Sequence, residues 1–261
     1  MLWPEFEREE GRETTPENAN LKRKIGENNM KKMVAGLIAA AVFAGIAQAQ
    51  STYSQNAVGF INMTDLKANQ LYAVNIPFEN MNGTESWVFT DTDLAKDAPG
   101  GSSVFFWSAE KQGWDAYSKN KLTKKWNTGD RTVELGEFFF FQPGADMASC
   151  VLAGEVPDDV IPVPVAGKEN ISGVGLPYPV EMTFTDTDLA KEATGGSSVF
   201  FWSAEKQGWD AYSKNKLTKK WNSGDRKVQP GEGFFFQGVA ADSDTQWSES
   251  VPYDWPNVSK E

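Results

Sequence analysis

Hydrophobic and polar positions alternate in short runs along most of the chain, and Gly, Asn and Pro punctuate them. That spacing predicts strands joined by turns. Val104-Phe105-Phe106-Trp107 is a β-branched and aromatic run entered through Gly100-Gly101. Glu110-Lys111-Gln112-Gly113 reads as a turn, and Trp114 to Ser118 as the returning strand. Leu122, Lys124 and Trp126 then share one face of a further expected strand, with Thr123 and Lys125 on the other. Asn127-Thr128-Gly129-Asp130 is a hairpin signal. Arg131 to Leu135 leads to a turn at Gly136-Glu137, and Phe138 to Phe141 is expected to be buried on both faces. One segment breaks the pattern. Thr92-Asp93-Leu94-Ala95-Lys96 predicts a short helical turn with Thr92 as N-cap, Asp93 against the helix dipole and Gly100-Gly101 as the stop.

These elements occur twice. Residues 89–142 recur as residues 184–237, with seven differences in 54 positions at an offset of 95. A weaker match extends upstream, where Leu71 to Phe78 parallels Ile171 to Tyr178 at an offset of 100. The period suits a small domain rather than a stacked short repeat. The Pro-rich stretch Val156 to Val165 is expected to act as a semi-rigid linker between the copies. Near-identity extends even to lysines, so a recent duplication accounts for it without appeal to function.

Upstream of the repeats the pattern changes. Lys31-Lys32, the apolar run Met33 to Ile46 and Ala47-Gln48-Ala49 form a signal peptide in sequence, predicting a mature start at Gln50. The apolar run is shorter than the ~20 residues of a membrane span. The polar segment before it reads as a disordered or mis-assigned extension. The expected organisation is therefore 1–29 extension, 30–49 signal peptide, 50–157 first β module and 158–261 second β module. The fold class is mainly β: two tandem homologous β-sandwich or small-barrel modules, each with one short helical turn. Each buried Phe or Trp removes ~150–250 Å² from water, roughly 4–6 kcal/mol before entropy losses. Several such rings per module suffice for a core without disulfides.

Charge and composition narrow the function. With 25 Lys+Arg against 36 Asp+Glu the net charge is −11, which argues against nucleic acid and anionic membrane as partners. The chain has no His, which excludes His-dependent triads and His-ligated zinc. Its one cysteine, Cys150, lies in an apolar stretch and is expected to be buried. No span is expected in the mature chain, and the C-terminal residues lack the terminal aromatic strand of an outer-membrane barrel.

Ile76-Pro77-Phe78, Phe105-Phe106-Trp107 and Pro230 to Phe235 together resemble a class of bacterial exported β-modules. In those, a PGxGFF strand follows a tryptophan-bearing one. The first copy departs from the motif at Leu135 and Phe138. The resemblance implies an extracellular accessory or surface module and implies no activity.

The candidate chemistry is aromatic. Trp114, Tyr117 and Trp126, with Trp209, Tyr212 and Trp221, are candidate ligand-binding residues, because exposed rings on a rigid sheet hold the flat face of a sugar. Core packing is the competing role. Trp114 and Trp126 are favoured by their polar flanks. Asp91, Asp93, Asp186 and Asp188 read as helix caps, since no twelve-residue calcium loop surrounds them. Glu110 with Asp115, or Glu134 with Glu137, are the carboxylate pairs a hydrolase would need, although Gln229 replaces Glu134 in the second copy. Lys119, Lys121, Lys124 and Lys125 suit either an acidic neighbour or protection of a strand edge. No catalytic residue, metal or cofactor is expected. The expected role is a non-enzymatic exported protein at the cell surface, in the matrix or in the periplasm, binding a glycan or another surface protein. A self-associating structural subunit is the alternative, and a carboxylate-dependent hydrolase is the third reading.

Overall fold

Alternation in Ser103 to Ser108 sets the plan of the first half. Val104 and Phe106 point to one face and are buried, while Phe105 and Trp107 point to the other. The computed structural model describes residues 57–254 apart from 83, 85, 168, 169 and 240–244, within the unit Ser54–Glu261. The expected signal peptide (30–49) and the expected extension before it (1–29) lie outside the described residues.

The first half runs β1 (Val58–Leu66), β2 (Tyr72–Val74), β3 (Trp87–Val88), a 3₁₀ turn (Phe89–Asp91), α1 (Asp93–Asp97), β4 (Ser103–Ser108), β5 (Gly113–Ser118), β6 (Thr132–Val133), β7 (Phe139–Gln142) and β8 (Met147–Glu155). The second half repeats the order with β9 (Pro162–Val165), β10 (Ser172–Gly175), β11 (Met182–Thr183), a 3₁₀ turn (Phe184–Asp186), α2 (Asp188–Glu192), β12 (Ser198–Ser203), β13 (Gly208–Ser213), β14 (Lys227–Val228), β15 (Gly233–Gln237) and β16 (Thr245–Ser248). The sheets are antiparallel and open, in the orders β2-β7-β4-β5 and β10-β15-β12-β13, with two-stranded pairs β1-β8, β3-β6, β9-β16 and β11-β14. The fold is mainly β, as its sequence predicts, and no barrel closes among the described residues.

Register builds the two cores. Val104 faces Phe141 and Phe106 faces Phe139 across β4 and β7. These rings meet Phe89, Leu94, Cys150 and Leu152 in one cluster, so the sheet's inner face is covered by α1 and the β1-β8 ribbon. The second core repeats this with Val199, Phe201, Phe234 and Phe236. Thr92 Oγ1 accepts from Ala95 N at 3.1 Å, and Thr187 Oγ1 from Ala190 N at 3.1 Å, so both expected caps form.

Several expectations are corrected. The helices stop at Ala98 and Ala193, which turn extended, before the glycines are reached. Pro99 enforces this in α1, and Thr194 shows that proline is dispensable. Leu122, Lys124 and Trp126 form no strand. Asn120 Oδ1 accepts from Leu122 N and Thr123 N at 2.8 and 2.9 Å, and this side-chain-built turn overrides the alternation. Leu122 is 91% exposed at its tip. The turn around Gly129 feeds β6, which pairs with the distant β3 rather than closing a local hairpin. Part of the expected linker is a strand: β9 pairs with β16. Its prolines alternate with buried Val163 and Val165, so the missing N–H groups fall on the side away from β16.

The lysine run also reads differently. Lys119 is buried, and its Nζ donates to the carbonyls of Ala95, Lys96 and Ala98 at 2.8, 3.0 and 2.8 Å. A cation thus satisfies the open C-terminal carbonyls of α1. Lys214 does the same for Ala190 and Lys191 in α2. Burial holds both ammonium groups below the usual lysine range.

The outer faces of the two four-stranded sheets pack on each other. Phe138, Phe140 and Phe235 form a third cluster with Phe105, Trp107, Phe200 and Trp202. The expected two-sided burial of Phe138 to Phe141 therefore holds, with the second face covered by the other half. Matched hydrogen bonds give this contact a local twofold relation. Trp107 Nε1 donates to Ile171 O and Trp202 Nε1 to Leu71 O, both at 2.8 Å. Asn75 N donates to Gly231 O and Gly175 N to Gly136 O, both at 2.9 Å. Gln112 Oε1 accepts from Ile171 N, and Gln207 Oε1 from Leu71 N.

Two of the sequence differences fall on that relation. Phe138 occupies the position that Gly233 holds in the other half. A Cβ on Gly233 would lie 2.2 Å from Phe138 Cδ2, and one on Gly173 would lie 2.7 Å from Phe138 Cδ1. The centre of the contact holds one ring and no second. Likewise buried Asn75, whose Nδ2 donates to Leu176 O at 2.7 Å, fills the space a Cβ on Gly175 would need. The first half supplies both protrusions and the second half both recesses.

Candidate ligand-binding site

The six aromatic candidates divide by what their rings and polar atoms already contact. Trp126 stands edge-on to Phe89 at 5.0 Å and donates its indole N–H to Ala95 O at 2.9 Å. Ala95 O therefore accepts from both Trp126 and Lys119, and this clamp fixes the end of α1. Trp221 repeats the contact on Ala190 O. Tyr117 and Tyr212 lie against Phe106 and Phe201 on the inner faces. All four rings take part in packing, and the indole N–H of Trp126, which its polar flanks favour in the sequence, is taken up by the helix end.

Trp114 and Trp209 stand apart. They are 39% and 38% exposed, on the outer faces of edge strands β5 and β13. Trp114 lies 5.2 Å from Phe140 and 5.7 Å from Phe235, and Trp209 lies 5.7 and 5.0 Å from the same two rings. The interplanar angles of 36° to Phe140 and 35° to Phe235 tilt each indole over a phenylalanine floor. Trp107 and Trp202 brace them edge-on at 5.1 Å. Both halves build this surface jointly.

Hydrogen bonding separates the same pair. Among the eight described tryptophans, Trp87, Trp107, Trp126, Trp202, Trp221 and Trp247 each donate the indole N–H to a protein acceptor. Trp114 and Trp209 keep theirs available. Each thus offers a flat apolar face and a donor, the combination that makes tryptophan common at contact surfaces. Sequence reasoning singled out both residues but missed that they share one floor, because that depends on how the halves pack.

Glu110 and Glu134 are exposed, and the carboxylates named beside them, Asp115 and Glu137, are engaged in ion pairs. Glu137 pairs with Arg131 and Glu232 with Arg226, and each arginine lies 4.3 Å over a core ring, Phe106 or Phe201. Burial raises both glutamates despite these arginines. Asp115 pairs with Lys111 at 3.0 Å, and their counterparts Asp210 and Lys206 do so at 3.1 Å. Asp93 and Asp188 lie in the first turns of the helices. Among the described residues no group of three His, Cys, Asp or Glu is placed to hold a metal. A cavity of about 10 Å³ lined by Ile76, Trp87, Thr92, Asp93, Leu152 and Ala153 has room for about one water.

No family model matches the chain, and no curated protein or solved structure matches it.

Proposed function

We propose that the chain is a non-enzymatic exported protein whose Trp114 and Trp209 form a two-point stacking surface for an extracellular glycan. One observation carries this reading: these two tryptophans alone among those described combine an exposed face with an uncommitted indole N–H, and they share one rigid floor. Rings held in place before binding lose little entropy when a sugar stacks on them. The two points act together, so loss of either removes more than half of the affinity.

The test is binding to a panel of soluble and insoluble polysaccharides. The wild-type chain is expected to be retained on at least one glycan, and Trp114→Ala with Trp209→Ala to abolish retention without loss of far-ultraviolet circular dichroism. Absence of binding across the panel, or binding indifferent to both substitutions, would remove the proposal.

A further inference from the structure

The local twofold relation exposes a difference between two strand edges. Gly231 approaches Ile61 on β1, and Gly136 approaches Val163 on β9. Ile61 and Val163 are therefore equivalent, which makes Phe60 the counterpart of Pro162 and Asn62 the counterpart of Pro164. Among the described residues each strand pairs on one side only, β1 with β8 and β9 with β16.

The free edge of β1 is competent for pairing. Val156 N donates to Ala57 O at 2.7 Å, so Ala57 belongs to a bonded pair with β8. Alternation along an antiparallel ladder then turns the peptide groups of Val58, Phe60, Asn62 and Thr64 outward. The equivalent edge of β9 carries Pro162 and Pro164 at the outward positions and has no N–H there to give. Prolines of this kind close an edge against strand addition. One half is protected and the other is open.

The open edge is also apolar. Phe60 is 73% and Val58 64% exposed, and Val151 beside them on β8 is exposed too. Val58 to Thr64 carries no charge in a chain of net −11. Asp65, the first charged residue after it, adopts φ 55° and bends the backbone away from extended geometry.

We infer that the edge of β1 pairs with β1 of a second copy, forming a closed dimer through a continuous sheet β8-β1-β1-β8. An edge of outward N–H and C=O groups accepts an extended strand. Head-to-tail growth needs two different complementary surfaces, and the prolines of β9 close the equivalent edge of the other half to that role. An antiparallel pair of β1 strands is self-complementary, brings no like charges together, and gathers Phe60 and Val58 of both copies on one face.

Sedimentation velocity of the purified chain over a wide concentration range tests this. A monomer–dimer equilibrium is expected, with no species beyond the dimer. Transplanting the prolines of β9 as Phe60→Pro with Asn62→Pro is expected to raise the dimer dissociation constant at least about tenfold, a loss of about 1.4 kcal/mol. Asn62→Lys leaves the backbone unchanged and is expected to weaken the dimer in the same direction, which decides the matter if the proline variant fails to fold. Trp114→Ala is expected to leave the dimer intact. A monomer at every concentration, open-ended growth, or a dimer that Asn62→Lys does not weaken would overturn the inference.

Discussion

Exchanging the central ring between the two halves is a quantitative test of how they pack. Phe138 is fully buried, with ring centroids 5.1 Å from Phe140, 5.0 Å from Phe235 and 5.8 Å from Trp114. Truncating a buried phenylalanine to alanine costs about 3–5 kcal/mol, and glycine adds about 0.5–1 kcal/mol of backbone entropy. Phe138→Gly should therefore destabilise by about 3.5–6 kcal/mol. Gly233→Phe in the wild-type background forces a second ring into filled space, since even a Cβ would lie 2.2 Å from Phe138. Overpacking of this kind costs about 1–3 kcal/mol or more. Gly233 has no positive φ, so the backbone itself admits a side chain. In the double variant the ring returns to the same hole from the opposite sheet. The two effects should cancel in part, with a coupling of at least about 2 kcal/mol. Adding Ala73→Gly should recover more, because Ala73 is the counterpart of Gly173, whose missing Cβ makes room for Phe138. Urea unfolding followed by far-ultraviolet circular dichroism reads the wild type and all four variants. Strictly additive effects would refute the shared central hole and with it the twofold relation.

Other outcomes follow from the same contacts. Glu249 is buried, accepts from Asp188 N and Trp247 Nε1, and is pushed up to about 7, chiefly by burial and also by the Asp188 charge. Its native form binds a proton more tightly than its unfolded form, so its contribution is fully present below the unfolded value of 4.5 and is lost as pH rises through 7. The loss is at most about 3.5 kcal/mol at ~1.4 kcal/mol per unit. Glu249→Gln should flatten this dependence in denaturant midpoints measured across pH, and an unchanged slope would refute the assignment. Lys119→Met should cost about 3 kcal/mol by removing a charged donor from three carbonyls, whereas exposed Lys121→Met should cost under about 0.5 kcal/mol. Equal thermal shifts would contradict the capping role. Cys150 is buried and its thiol is pushed up to about 12, chiefly by burial, so a thiol reagent should label it only after unfolding. Stoichiometric labelling of the native chain would contradict its placement on the core-facing side of the β1-β8 ribbon.

Local patterns carried the fold a long way. The Phe-rich strand, the β4-β5 hairpin and the Thr92 cap each follow from neighbours a few residues apart, where propensity and turn chemistry agree. Most of the misses originate in long-range partners. Lys119 resembles an edge lysine until α1 places three carbonyls around it. Leu122 to Trp126 alternates like a strand, but Asn120 supplies the backbone a local partner and no sheet edge receives it. Pro162 and Pro164 argued for a linker because only a ladder with alternating free N–H groups tolerates them. The ligand candidates were narrowed by the same route. Trp114 and Trp126 look alike in sequence, and only the location of the Ala95 carbonyl separates a clamp from an exposed ring. Phe138 against Gly233 was visible as one difference among seven, and its meaning depends on the two outer faces meeting.

The most direct test of the account is hydrogen exchange at the indole nitrogens, read by nitrogen-edited magnetic resonance with a soluble paramagnetic probe. Trp107 and Trp202 should exchange slowly and escape the probe because they bond across the two sheets, while Trp114 and Trp209 exchange fast and broaden. If Trp107 and Trp202 broaden as readily as Trp114 and Trp209, the two sheets do not meet and the shared aromatic surface does not exist.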